Sequence, residues 1–385
     1  MDGYCFYFLL IMLTNVIRKD VQELYSTPIV QQTSFWSNVK NELGDETLAI
    51  NFTAEGSYST LSFKGENGVE SDLLVVLQYI DHQHCIAYVP YGPELEPAEE
   101  DQGTFLEELS ESLCSFLPAG CILVRYDLCW ESYWAKDEAC FDADGSWKGE
   151  PSIQSQELRF NYGTVNWNFK RAQYNILPFN TIFVDLDREA PLILNKMHAK
   201  TRYNINLAAR KGVVVRSLGM ESLDVWYALY QETAIRNRIV INDMKYFEAV
   251  LKARSEDCMA PAEVLLLVAE VDQQPLAAMF LIISGHRGSY LYGASSSQKR
   301  NFMATYALQW EAMKIAKARG CTEYDMFGVS PNADPSHPMY GLYKFKSGFG
   351  GEIFHGLGCW DYPLDHDKYN LYKSMEMKTQ GFHWV

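Results

Sequence analysis

The chain has 385 residues, 48% of them hydrophobic and 14% aromatic, enough to bury a large core and to exclude a disordered chain. Its length suits two domains. A formal net charge of −16 is the wrong sign for a protein coated in nucleic acid, whose footprint is basic.

The charge is segregated. Residues 94–111 hold eight acidic side chains and no basic one, whereas Lys196, Lys200, Arg202, Arg210, Lys211, Arg216, Arg236 and Arg238 share one later stretch. A local basic surface is therefore expected in the second half. Nine cysteines are scattered without Cys-x-x-Cys spacing, which points to a reducing compartment and to neither a zinc site nor a disulfide framework. His82 and His84 would share a strand face but have no further ligand pattern, so they read as surface residues.

Taken in order, residues 4–13 are almost wholly apolar. The run is too short to span a bilayer as a helix and lacks the basic flank and cleavage site of a signal peptide. A weak membrane-surface segment and a miscalled start codon both stay open. A helix begins near Ser34, capped by Thr33 or Ser34, with Phe35, Trp36 and Val39 on its apolar face and Lys40 one turn beyond Trp36. Extended runs follow at 60–63, 73–80 and 85–90, then an acidic helix at 105–116 and a short buried strand at 121–126 ending at Asp127. This alternation reads as α/β. Residues 137–174, rich in Trp, Gly, Asn and Asp, read as a long connection of the kind that is functional or mobile.

The second half restarts with a strand at 181–186 and a helix at 195–210. A strand at 213–217 and helices at 223–236 and 243–254 come next. Strands at 264–271, 277–284 and 288–292 precede a helix at 304–319 and a strand at 323–327. That order is the layout of the acetyltransferase-like fold, and the first half is a looser echo of it. The expected class is α/β (α+β), with two tandem acetyltransferase-like domains, each a mixed sheet flanked by helices. The first would cover 20–177 and be completed by 357–385; the second would cover 178–356.

Two stretches bear on chemistry. In Lys344-Phe345-Lys346-Ser347-Gly348-Phe349-Gly350-Gly351, read as a strand, Lys344 and Lys346 share one face and Phe345 takes the other. Two ammonium groups together call for a phosphate, carboxylate or oxyanion between them, and the glycines permit close approach; a solvated basic turn is the plain alternative. The second stretch is Ser296–Ala304. An acetyltransferase cradles the coenzyme A pyrophosphate on a glycine-rich turn at this place, but the stretch has no glycine and carries Phe302 and Met303. That argues against acyl-coenzyme A as donor.

Together, four pieces resemble the FemABX peptidyltransferases, compact FemX-like members included, over nearly all the chain beyond about residue 28. They are Lys200-Thr201-Arg202-Tyr203-Asn204-Ile205-Asn206-Leu207-Ala208-Ala209-Arg210-Lys211-Gly212-Val213, Tyr292-Gly293-Ala294, Leu308-Gln309-Trp310-Glu311 and Phe345-Lys346-Ser347-Gly348-Phe349-Gly350. The resemblance implies transfer of an amino acid from aminoacyl-tRNA to the side-chain amine of the third stem-peptide residue of a peptidoglycan precursor. No metal or diffusible cofactor would be needed. Aminoacyl-tRNA would be a co-substrate held by its acceptor stem, and the acceptor a UDP-linked muramyl pentapeptide or its lipid-linked form. The protein would be a cytoplasmic monomer, with peripheral attachment at the inner membrane face left open.

Carried over to this sequence, the resemblance makes Lys40 and Arg236 contacts to the acceptor diphosphate, with Trp36 beside Lys40. Tyr292 would be the acceptor-site tyrosine, and Phe345 and Lys346 would meet the aminoacyl end. Asp127 would touch the acceptor or take its proton, with substrate-assisted transfer equally open for that step. Arg202, Tyr203 and Lys344 complete the substrate-binding set, although Arg202 and Tyr203 also suit helix packing and Arg238 competes with Arg236. An acyl-coenzyme A-dependent N-acyltransferase and a non-catalytic protein that binds cell-wall precursor or tRNA are the competing readings.

Overall fold

The computed structural model describes residues 12–55, 58–59, 64–65, 68–253 and 258–378. The strand expected at 60–63, most of the apolar run at 4–13 and Arg254 lie outside these residues. A 13-stranded mixed sheet runs through the protein. Its order is Leu13–Lys19, Glu46–Ala54, Val69–Tyr79, Cys85–Val89, Cys121–Glu131, Glu352–Pro363, Asn180–Asp185, Glu323–Asp325, Arg287–Ser295, Gln274–Ser284, Glu263–Val271 and Val214–Leu218, with Lys170–Arg171 paired to Glu352–Pro363. The fold class expected from the element order, mixed α/β with helices on a large sheet, is the one observed.

Strand Glu352–Pro363 is the seam. Its first residues pair with Asn180–Asp185, and its later ones with Cys121–Glu131. Period-two alternation then sets the two faces of the first half. Val124, Tyr126, Leu128, Trp360 and Tyr362 face one apolar core with helix Gln102–Leu113. Arg125, Asp127, Cys359 and Asp361, the residues between them, face the other side. Helix Ser34–Glu42 covers part of that second face: Phe35, Trp36 and Val39 pack with Ala49 and Leu74 and with aromatics of the second half. Thr33 caps this helix by accepting from the Trp36 amide. In the second half, Asp272 and Gln273 both have positive φ, the backbone that a tight turn between twisted antiparallel strands requires.

Several sequence expectations are corrected. The strand expected to end at Asp127 runs from Cys121 to Glu131, so Asp127 is mid-strand. The connection at 137–174 contains helix Ile153–Phe160 and the short strand Lys170–Arg171. The helix expected at 195–210 is two, Ala190–Lys196 and Ala199–Arg210.

The lysine motif is not a strand. Tyr340–Lys346 is a helix, continued by a 3-10 turn over Ser347–Phe349. The run Tyr340–Phe349 has no β-branched residue to favour extended backbone, and the next strand starts only after Gly350, at φ +76°. Residues two apart on a helix do not share a face; accordingly Lys344 is exposed and Lys346 buried. The glycines admit backbone rather than ligand. A Cβ on Gly350 would sit 2.5 Å from the Lys196 carbonyl, and one on Gly348 would sit 2.4 Å from Thr201 Oγ1.

Candidate functional site

A cavity of about 760 Å³ opens on the polar face of the first half. Its floor carries Gln78, Tyr88 and Arg125 from three neighbouring strands, with Tyr88 in register with Arg125. The segment 173–180 forms one wall, Val329, Pro331, His337 and Met339 a second, Trp36 and Lys40 a third, and Tyr372, Met375 and Glu376 a fourth. Residues from both halves of the chain therefore meet here.

The wall at 173–180 is pinned from below. The Leu177 amide donates to Asp127 Oδ2 at 2.9 Å, the Tyr91 hydroxyl donates to the Pro178 carbonyl, and Asn175 Oδ1 accepts from the Cys359 amide at 2.8 Å. Asp127 Oδ2 also accepts from the Tyr88 hydroxyl at 2.9 Å. Asp127 Oδ1 has no hydrogen-bond partner among the described residues. Burial pushes the Asp127 carboxyl up to about 6, against the opposing effect of these hydrogen bonds and of Arg171 and Arg125. Asp127 is not itself a lining residue, whereas its partners Tyr88 and Leu177 are. It acts on the cavity through them.

Asp127→Asn keeps an accepting oxygen for Tyr88 and Leu177 and removes a buried charge. A carboxyl held above its usual range makes folding less favourable as pH rises from about 4 to about 6, and the cost persists above. The variant is expected to melt at or above the wild-type temperature at pH 7.5. A clear fall in melting temperature at that pH would contradict this placement.

Helix Ser34–Glu42 delivers Trp36 and Lys40 to the cavity. Lys40 Nζ lies 3.5 Å from Asp45 Oδ2 and 5.7 Å from the Trp36 ring centroid. The Trp36 indole Nε1 is buried with no hydrogen-bond partner among the described residues. A buried donor left unpaired costs about 1–3 kcal/mol, and it pairs naturally with an acceptor brought by a ligand.

Lys346 does not reach the cavity. It is buried, and its Nζ donates to the carbonyls of Phe327 at 3.0 Å and Gly328 at 2.9 Å, with the Tyr290 ring centroid 5.1 Å away. Burial holds its amine down at about 7, although the Asp325 carboxylate works the other way. Val329, the next residue, lines the cavity, so Lys346 fixes the backbone of one wall.

The other expected site residues are dispersed. Tyr292 is in the core behind Trp36, its hydroxyl 2.5 Å from that of Tyr246. Arg236 donates to the Ser295 carbonyl at 2.7 Å and to Ser295 Oγ at 3.1 Å. Arg202 donates to the carbonyls of Met197 and Asn195, which ties the two helices of that region together. Tyr203 is exposed, with the Arg210 guanidinium 5.8 Å over its ring. Phe345 packs on Tyr306 and Phe349, and Lys344 sits 6.0 Å from the Tyr340 ring. Of these residues, none lines the cavity.

Sequence reasoning missed Tyr88, Arg125, Asn180, His337 and the segment 173–179. Arg125 carried a signal: it is a charged residue inside the apolar run at 121–126, and charged side chains are seldom fully buried unless paired. His337 Nδ1 accepts from the Met339 amide at 3.0 Å. Its neutral form then carries the proton on Nε2 and presents a donor rather than a base.

The turn before helix Ala304–Ala318 bonds to itself. The Phe302 and Met303 amides donate to the carbonyls of Lys299 and Arg300, and no glycine backbone opens a nest. Among the described residues no group of His, Cys, Asp and Glu is arranged to hold a metal. None of the described helices is long and apolar enough to cross a membrane.

The FemAB family model matches residues 160–263 and 262–377, more than half of the sequence. The chain belongs to the FemAB family. Lipid II:glycine glycyltransferases of Staphylococcus aureus, from strains USA300 and NCTC 8325 among others, are 24% identical over 265 residues. The match takes in 52% of this chain and 62% of theirs, so it spans less than two thirds of those relatives. A crystal structure of FemX superposes with a TM-score of 0.70 at 17% identity, covering 94% of this chain and 100% of that one. This likeness concerns the fold. The FemAB match takes in Asn180, Val329, His337 and Glu376 at the cavity; the floor residues Tyr88 and Arg125, and Asp127 beneath them, precede it.

Proposed function

We propose that this FemAB protein is an aminoacyltransferase of peptidoglycan bridge synthesis. Its cavity holds a muramyl-peptide precursor, UDP-linked or lipid-linked, and it transfers an amino acid from aminoacyl-tRNA to the side-chain amine of the third stem residue. The cavity shared by the two halves carries this reading. Trp36 and Lys40 stand one helical turn apart on its wall, an unpaired N–H and a cation suited to a diphosphate. Family membership, and the names of the relatives just given, point the same way.

The aminoacyl ester is already activated, so catalysis needs chiefly a placed amine and an accommodated oxyanion. The acceptor amine attacks the ester carbonyl and loses a proton, and the C–O bond to the tRNA ribose breaks as the ribose oxygen takes that proton back and leaves as a hydroxyl. Asp127 is the group we assign to receive that proton, relayed through the Tyr88 hydroxyl. A base must be ionised to act, so kcat/KM should rise with pH through about 6. That limb should vanish in Tyr88→Phe. An unchanged pH profile in Tyr88→Phe would remove Asp127 from the mechanism. Lys346 is assigned to hold the Phe327–Gly328 backbone, in place of the contact to the aminoacyl end that the resemblance implied.

The test is transfer of radiolabelled amino acid from a charged tRNA pool to UDP-linked and lipid-linked muramyl pentapeptides, with acetyl-coenzyme A as a parallel donor. Label in either precursor that disappears after ribonuclease treatment is the expected result. Label from acetyl-coenzyme A alone would replace the donor, and no label from either would reduce the protein to a binding role. Lys40→Ala should raise KM for the acceptor by about tenfold or more with kcat little changed, as for loss of a contact common to ground and transition states. An unchanged KM would take the diphosphate away from Lys40.

A further inference from the structure

Arg125 carries one carboxylate more than its charge requires. It is 2% exposed, and its Nε and Nη2 donate to Asp361 Oδ1 and Oδ2 at 2.6 and 2.8 Å. That parallel pair already neutralises the guanidinium. A second fork, from Nη1 and Nη2, reaches Glu376 Oε1 and Oε2 at 2.5 and 3.1 Å. Of the two carboxylates Glu376 is the less buried, its side chain 18% exposed against 3% for Asp361.

The two carboxylates differ in how they are held. Asp361 belongs to the seam strand, within a ladder on both sides, and also accepts from the Tyr369 hydroxyl at 3.2 Å. Glu376 belongs to helix His366–Lys378, which lies at the cavity edge, and also accepts from the Tyr372 hydroxyl of the same helix at 2.9 Å. That helix is seated by Tyr369, with Tyr372 packed beside it, on Ile86, Ile122 and Leu123, ahead of its last turn. Its later residues Leu371, Met375 and Met377 are exposed. The last turn can therefore lift while Tyr369 and the Arg125–Asp361 pair stay in place. Lifting it uncovers two N–H groups of a planar fork on the cavity wall, the arrangement that takes a carboxylate bidentately.

We propose that Arg125 is a second anion-binding residue of the cavity, for the terminal carboxylate of the acceptor's stem peptide, and that Glu376 is a stand-in for that carboxylate in the free protein. The inference rests on the acceptor reading above: a muramyl pentapeptide is anionic at its diphosphate and again at its peptide terminus, and Lys40 and Arg125 line one cavity. Helix His366–Lys378 is then a strap whose last turn gives way as the peptide seats. In the free protein the clasp competes with substrate, which lowers apparent affinity by the fraction of molecules that are open.

The experiment measures binding of UDP-linked muramyl pentapeptide and of the same compound with its terminal carboxylate converted to carboxamide. Wild type, Glu376→Gln and Arg125→Lys are compared by tryptophan fluorescence, and hydrogen exchange of residues 366–378 is followed with and without ligand. Glu376→Gln is expected to bind the carboxylate form about fivefold more tightly, the size of a modest ion pair removed from competition. It should leave the carboxamide form unchanged, while Arg125→Lys weakens the carboxylate form only. In wild type the carboxylate ligand should speed exchange over the last turn.

Weaker binding by Glu376→Gln, equal effects on the two ligands, or slower exchange on binding would overturn the proposal. Faster exchange in ligand-free Glu376→Gln with neither compound bound by any variant would overturn the acceptor reading, and the carboxylate assignment with it. Unchanged exchange in Glu376→Gln with carboxylate-selective binding by wild type would overturn the clasp alone.

Discussion

Lys346→Met is expected to destabilise the protein by about 2–5 kcal/mol and to lower kcat/KM by more than about tenfold. The substitution keeps the length of the side chain but strips two buried carbonyls, Phe327 and Gly328, of their donor. Each unpaired buried group costs about 1–3 kcal/mol. The backbone freed in this way continues into Val329 at the cavity, so the acceptor KM should rise as kcat falls. Urea denaturation and initial rates check both parts. A lysine that touched only the transition state would lower kcat, leave KM alone and cost little stability.

The same variant has a pH signature. Burial holds the Lys346 amine at about 7 in the fold, below its ordinary value of 10.5. Between these values the unfolded chain binds more protons than the folded one, so stability rises with pH across that window. Below about 7 the cost of burying the ammonium is fully present. A neutral amine still has two N–H bonds for its two carbonyls. Relative to Lys346→Met, wild type should therefore gain stability from pH 7 to 9, and parallel stability profiles would show that the folded amine stays charged throughout that range.

Arg125→Met should cost about 3–5 kcal/mol, the usual penalty for breaking a buried ion pair from one side. Asp361 is 2% exposed and would keep its charge with only Tyr369 as a side-chain partner among the described residues. Helix His366–Lys378 would lose its tie at Glu376. The double variant Arg125→Met/Asp361→Leu should regain much of the loss, because well-packed apolar side chains often replace a buried pair without penalty. A thermodynamic cycle over the single and double variants measures the coupling. Additive losses would mean that Arg125 and Asp361 stabilise the fold independently.

How legible the site was depended on the range over which each feature is encoded. The Thr33 cap, the Trp36–Lys40 spacing and the tight turn at Asp272-Gln273 each span a few residues, and each appears in the structure as a helix face or a hairpin. The lysine motif misleads for a local reason: charge suggests exposure and lysines two apart suggest one strand face, yet the stretch has no β-branched residue and folds as a helix. The fate of Lys346 was then decided by carbonyls 18 and 19 residues earlier in the chain.

By itself, then, the sequence determined the alternation of strands and helices, the apolar face of each, and the family to which the chain belongs. Only the tertiary structure decided which polar residues would meet. Arg125 is 236 residues from Asp361 and 251 from Glu376, and Asp127 is 50 from Leu177. Such partners carry no local period. They are brought together because Glu352–Pro363 closes the sheet between the two halves, and only that closure turns a row of polar side chains on one face into the floor of a cavity.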